Sequence, residues 1–160
     1  MVVSSGSFLN CLRGCFEIMH FRILITLVMV MIASPGNAKE LTEEQRQGLN
    51  NLQHEITFCA VFYSISEGGL RRMDTAEALA EAIKTEGLKN ELGQAAAILG
   101  KLIGMNNEAM SARMTMAMDN MMGKMDGNFV NYSILLKEYA VNCANIYKNS
   151  VSMAEEIMNK

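Results

Sequence analysis

Cysteines and methionines are the residues in this sequence whose types and spacing could do chemistry. Cys11 and Cys15 lie near the N-terminus, whereas Cys59 and Cys143 are 84 residues apart in the rest of the chain. If the N-terminal segment is removed on export, only the second pair remains, and an oxidising compartment favours its disulfide. The pair lacks the C-x-x-C spacing and the adjacent cation typical of redox-active thiols. We therefore predict a structural disulfide between Cys59 and Cys143, with redox or metal use of the pair as the alternative.

Methionines are concentrated between residues 105 and 125. Five of them follow steps of three and four residues, which would place them on one face of a helix: Met110, Met114, Met118, Met121 and Met125. Thioether sulfur is a soft ligand that suits Cu(I) or Ag(I), and it stays competent where thiols are oxidised. Methionine is also a flexible core filler and a common lining of adaptable interaction grooves. The sequence favours core or interface, because His54 is far along the chain and the mixed Met/His ligand set is missing.

No catalytic motif of the H-E-x-x-H, G-x-S-x-G or phosphate-loop type occurs in the sequence. His54, the one histidine after residue 38, stands beside Glu55 and close to Asn51 and Gln53. This polar cluster is typical of a solvated helix face rather than of a general base held near a nucleophile. We therefore predict that the protein is not an enzyme.

Residues 21–38 have the layout of a secretory signal peptide. Arg22 precedes ten uncharged residues from Ile23 to Ile32, and Pro35 and small residues follow up to Ala38. This apolar run is about half the roughly 20 residues that a membrane span needs. We predict cleavage after Ala38, no stable membrane span afterwards, and a periplasmic or secreted protein. Residues 1–18 add little to this layout, so a start at Met19 is an alternative to Met1.

Composition favours one all-α domain over residues 39–160. The sequence is 50% hydrophobic but only 6% aromatic, with 15 Met, one Pro and no Trp, whereas strands use β-branched and aromatic residues. Of its 14 basic and 17 acidic residues, Arg13, Arg22 and Glu17 precede residue 39, which leaves 12 basic and 16 acidic. That balance argues against a surface that binds nucleic acid, which would need a basic stripe to neutralise phosphates.

Hydrophobic periodicity and turn residues predict four helices. The first starts at Thr42, whose spacing to Gln45 is that of a capping box, and ends at Gly68-Gly69. The second is capped by Asp74 or Thr75 and runs to about Gly104, with a candidate break at Gly87. The third covers residues 107–125 and is followed by an Asp-Gly-Asn turn. The fourth covers residues 128–158, with this seam: Phe129, Tyr132, Leu136, Tyr139, Cys143, Ile146, Ser150, Met153 and Ile157.

Four such helices joined by short turns predict an up-down antiparallel bundle in which the first and fourth lie side by side. Small residues form a stripe on the second helix that would let another helix or a second copy come close: Gly93, Ala97, Gly100 and Gly104. We predict an exported helical protein with a structural or protein-interaction role, acting through this stripe or a Met-lined surface, with a protein partner or by self-association. The alternative is a Cu(I)-binding protein that uses the methionine face of the third helix.

Overall fold

The computed structural model describes residues 40–160, and most of these residues lie in four helices. The helices are α1 (Glu43–Arg71), α2 (Ala76–Leu102), α3 (Asn107–Lys124) and α4 (Tyr132–Met158), and a 3-10 turn at Phe129–Asn131 precedes α4. The described part of the chain contains no strand, so the predicted all-α class is confirmed. The predicted signal peptide, its cleavage site after Ala38, and Cys11 and Cys15 lie outside the described residues.

Local sequence fixes the starts of three helices. The Oγ1 atom of Thr42 accepts a hydrogen bond from the Gln45 backbone N–H at 3.2 Å, and the Gln45 side chain accepts one from the Thr42 N–H at 3.0 Å. The predicted capping box at the start of α1 is therefore confirmed. Thr75 caps α2 and Asn106 caps α3 in the same way, each through its side-chain oxygen.

Two predicted helix breaks are wrong. The Gly68-Gly69 pair does not end α1, which continues to Arg71, and the chain turns instead at Asp74, where φ is 49°. A Cβ atom on Gly69 would make an ordinary contact with the ring of Phe129, so no close approach of that ring requires a glycine there. Gly87 does not interrupt α2, which runs without a break from Ala76 to Leu102. Packing of both helices against their neighbours outweighs the low helix propensity of these glycines.

The four helices run up-down-up-down, as predicted, and α1 packs against each of the other three. Arg46 near the start of α1 donates to the carbonyl of Ile103 at the end of α2, and Gln45 donates to the carbonyl of Met158 at the end of α4. Both α2 and α4 are therefore antiparallel to α1. Arg113 near the start of α3 contacts Asn50, also near the start of α1, so α1 and α3 run in the same direction.

The core lies along the inner face of α1 and receives side chains from all four helices. Its buried members include Leu52, Ile56, Phe62, Leu92, Met121, Leu135 and Ile146. The seam of α4 differs from the prediction at two positions: Leu135 is fully buried whereas Leu136 is 44% exposed, and Met153 is 36% exposed. The α-helix begins only after the 3-10 turn, and from Tyr132 its inner face runs through residues 135, 139, 143 and 146. Within residues 40–160, none of the helices combines the length and apolar character that crossing a bilayer requires.

Candidate functional site

The structure brings Cys59 and Cys143 together at the centre of the α1–α4 contact. Their sulfur atoms are 2.15 Å apart and their Cα atoms 5.1 Å apart, and neither residue is more than 1% exposed. Antiparallel packing produces this meeting, since both residues lie near the middle of their helices and face inward. Reductants and thiol substrates have no access to so buried a pair, which matches a structural disulfide better than a redox site.

A buried polar contact joins the first three helices. The side chain of Gln53, which is 1% exposed, donates to the Ala96 carbonyl at 3.2 Å and accepts a hydrogen bond from Arg113. Arg113 also donates to the side chain of Asn50 at 3.0 Å. The sequence predicted that Gln53 lies on a solvated face together with Asn51, His54 and Glu55. This prediction is wrong for Gln53, which is buried, whereas the other three residues are exposed as expected. Every buried side-chain N or O atom of residues 40–160 has a partner, so this contact is structural.

Charged side chains and tyrosine hydroxyls link neighbouring helices. Glu67 of α1 accepts from Lys89 of α2 at 2.5 Å and from Arg71 at 2.7 Å, and these two hydrogen bonds lower the pKa of its carboxyl. Burial raises the pKa of Tyr132. Burial also raises the pKa of Tyr63, and the nearby Tyr132 hydroxyl raises it further. Each shift moves the pKa further from 7, so Glu67 is ionised and both tyrosines are neutral at that pH, as they would be without the shifts. In the described part of the chain, no three His, Cys, Asp or Glu residues are grouped as metal ligands.

The five methionines of the predicted face lie in different environments. Met121 and Met125 are fully buried in the core, and Met118 packs partly buried against it. Met114 is 47% exposed. Met110 is half-buried against Gly100 of α2, where a Cβ atom would overlap its sulfur. The C-terminal part of the stripe is therefore core, and the thioethers that remain accessible are those nearer the start of α3.

An open groove of about 540 Å³ runs between α1, α2 and α3, and we call it the Met-lined groove. Ala60 and Val61 of α1, both buried, form its floor. Its complete lining is Ala60, Val61, Ser64, Lys89, Asn90, Gly93, Gln94, Ala97, Met114 and Met118. Apart from Lys89, which is already paired with Glu67, the polar lining residues are uncharged. The groove is thus a concave, mainly apolar surface with a neutral polar rim.

The separation of α2 from α3 explains the groove. The two helices touch where Gly100 meets Met110, next to the turn that joins them, whereas a Cβ atom on Gly93 would have nothing within 4 Å. The predicted small-residue stripe is therefore divided: Gly100 is buried in a contact, Gly104 lies in the turn with φ of 82°, and Gly93 and Ala97 line the groove. The sequence indicated the small-residue stripe and the methionine face separately. No feature of the sequence predicted that the two would line the same groove.

No protein-family model, curated protein sequence or solved structure matches this chain. The chemistry of the groove is therefore inferred from its own residues.

Proposed function

We propose that this is an exported, non-enzymatic protein whose Met-lined groove binds an apolar helical surface of another protein molecule. The observation that carries the proposal is the combination of Met114 and Met118 with the uncovered Gly93 and Ala97 in one concave surface. Flexible thioethers adjust to the shape of a bound side chain. Small residues on the opposite wall let a partner backbone approach closely.

The rest of the described molecule supports a binding role. The starts of α1, α2 and α3 are capped, buried side-chain polar atoms of residues 40–160 are paired, and the central cysteines lie at bonding distance, so the scaffold around the groove is well fixed. A rigid scaffold limits the conformational entropy lost on binding. The buried cysteine pair also fits a protein that works in an oxidising compartment.

Photo-crosslinking in the producing cell tests the groove. A photoreactive residue would replace Asn90 on the rim, and in the control it would replace Lys148, an exposed residue of α4. We expect one discrete crosslinked product from position 90 that disappears when Ala97→Glu is added, and none from position 148. The absence of any product from position 90 would contradict the proposal. Intact mass of the exported protein would test cleavage after Ala38 and, by a deficit of two hydrogens, the disulfide.

Soft-metal binding is a second candidate, favoured by one observation. Met114 and Met118 are one helical turn apart and both line the groove, and two thioethers at that spacing suit Cu(I). Titration with Cu(I) against a competing chelator would show binding that is lost in Met114→Leu/Met118→Leu. Met116→Leu is the control, because Met116 is 70% exposed and outside the groove. Equal titration curves for all three proteins would rule out this candidate.

A further inference from the structure

Two exposed apolar side chains of α2 lie on the same helical face as the groove. Leu79 is 49% exposed and Ile83 is 60% exposed. From them, steps of three and four residues lead into the groove lining, and we call this series the α2 stripe: Leu79, Ile83, Glu86, Asn90, Gly93 and Ala97. Residues at these steps share one face of a helix. The stripe thus has bulky residues at one end, polar residues in the middle and small residues at the other end.

This order is complementary to itself when two copies of α2 lie antiparallel. With the two-fold axis at residue 88, Leu79 of one copy faces Ala97 of the other, Ile83 faces Gly93, and Glu86 faces Asn90. A bulky side chain would then fill the space that a small residue leaves open, and the Glu86 carboxylate, which already accepts from Arg71 at 2.8 Å, would meet an amide donor as a further partner. A parallel pair would instead bring Leu79 of one copy against Leu79 of the other. Gly93 of each copy would then face Gly93 of the other, with empty space between them.

Charge at the two ends of the stripe favours the same arrangement. Asp74 lines a shallow pocket together with Leu79, and Lys101 lies one helical turn beyond Ala97. Both residues are exposed, and neither belongs to an ion pair formed within residues 40–160. An antiparallel pair would bring Asp74 of each copy towards Lys101 of the other, so symmetry would provide this attraction twice. Parallel packing would place like charges together.

We propose that the occupant of the Met-lined groove is a second copy of this chain, bound through an antiparallel α2–α2 contact. The inference rests on the proposed function of the groove and names its partner. Leu79 and Ile83 of each copy enter the groove of the other between its Gly93–Ala97 wall and its Met114–Met118 wall. The contact spans about 27 Å of helix, from residue 79 to residue 97. An interface of this extent is at the small end of specific interfaces, so the dimer exchanges with monomer.

Sedimentation velocity of the oxidised exported protein over a range of concentrations tests the dimer. We expect a shift from monomer to dimer as concentration rises, and Ile83→Asp should raise the dissociation constant at least about 100-fold. Val141→Asp is the matched control, because Val141 is 75% exposed on α4 and should leave association unchanged. Circular dichroism of each variant shows whether its helices are intact.

Cysteine crosslinking tests the register. Ile83→Cys and Gly93→Cys are prepared separately, mixed, and oxidised with glutathione disulfide. The mixture should give a disulfide-linked heterodimer, whereas each variant alone should not, because identical positions would be about 15 Å apart along the antiparallel pair. Crosslinking of each variant to itself but not to the other would overturn the antiparallel arrangement.

The remaining outcomes separate this inference from the proposed function. A protein that stays monomeric at every concentration, while the crosslinker at position 90 captures a different protein, would overturn the dimer and leave the groove as a binding site. A monomeric protein with no product from position 90 would overturn both.

Discussion

Met121 and Met125 have no solvent exposure, whereas Met114, two turns earlier on the same helix, is 47% exposed. The difference follows from the position of α3, whose C-terminal half belongs to the same core as Phe62 of α1 and Leu135 of α4. Its N-terminal half faces the groove instead. One methionine face therefore serves two purposes, with thioethers that fill space at one end and thioethers that remain accessible at the other.

Alanine substitution should separate these two groups. Met121→Ala removes a fully buried side chain, and we expect the free energy of unfolding to fall by about 2–5 kcal/mol. Met114→Ala should lower it by less than about 1 kcal/mol, because the side chain is already in contact with water. Urea denaturation followed by circular dichroism measures both values. A similar loss for the two variants would show that Met114 belongs to the core.

At the scale of single helices, the glycines of α2 differ in what surrounds them. Gly87 is exposed and a Cβ atom there would meet nothing within 4 Å. Gly100 is buried, and a Cβ atom there would overlap the sulfur of Met110 and lie 3.1 Å from its Cγ atom. The same glycine-to-alanine change should therefore have opposite effects at these two positions.

Gly87→Ala should raise the free energy of unfolding by about 1 kcal/mol, because alanine has the higher helix propensity. Gly100→Ala gains the same propensity but must displace the Met110 side chain, which is half-buried against α2, and overpacking of this kind costs about 1–3 kcal/mol. We expect a net loss of stability for Gly100→Ala in thermal or urea unfolding. A gain at both positions would mean that Met110 moves aside freely and that the α2–α3 contact is loose.

Glu67 links α1 to α2 through Lys89, and its side chain is 12% exposed. Its hydrogen bonds to Lys89 and Arg71 lower the pKa of the folded-state carboxyl below that of the unfolded chain. The stabilisation is thus present above the unfolded-state pKa and is lost as pH falls through the folded-state pKa. Glu67→Gln should lower stability by about 1 kcal/mol at pH 7, and the difference from the native protein should shrink as pH falls through the folded-state pKa.

Measuring the melting temperature of both proteins between pH 7 and pH 3 would check this dependence. Glu81→Gln provides the control, since Glu81 pairs with Lys84 of its own helix, has no other ion pair within residues 40–160, and is 57% exposed. If the difference in melting temperature between Glu67→Gln and the native protein did not change with pH, it would contradict an ion pair at Glu67.

Features set by neighbouring residues could be predicted from the sequence, and features set by packing could not. The cap at Thr42 depends on a residue three positions away, and it forms as predicted. The continuation of α1 through Gly68 and Gly69 depends on other helices, as does the inward position of Leu135 in place of Leu136. Leu135 and Leu136 each fit the helical period of the α4 seam to within one position. Which of the two faces the core depends on the start of the α-helix at Tyr132.

Across the whole bundle, α1 is the central helix and the other three are held to it by different means. α2 is joined by ion pairs and the Gln53 contact, α3 by Arg113, and α4 by the cysteines and by Tyr132, whose hydroxyl donates to Ser66. The meeting of the cysteines was predictable, because it follows from antiparallel packing of two long helices. The groove was not, because it depends on how far α2 and α3 diverge.

Loss of the cysteine bond tests this arrangement at the largest scale. A link between residues 84 apart restricts the unfolded chain, and the chain-entropy relation gives about 4–5 kcal/mol of stabilisation. Cys59→Ala/Cys143→Ala should therefore unfold at a much lower urea concentration than the oxidised native protein. The reduced native protein should resemble the double variant, which separates the effect of the bond from that of the altered side chains. Similar midpoints for the oxidised, reduced and double-variant proteins would mean that packing and hydrogen bonds hold α4 against α1 without the disulfide.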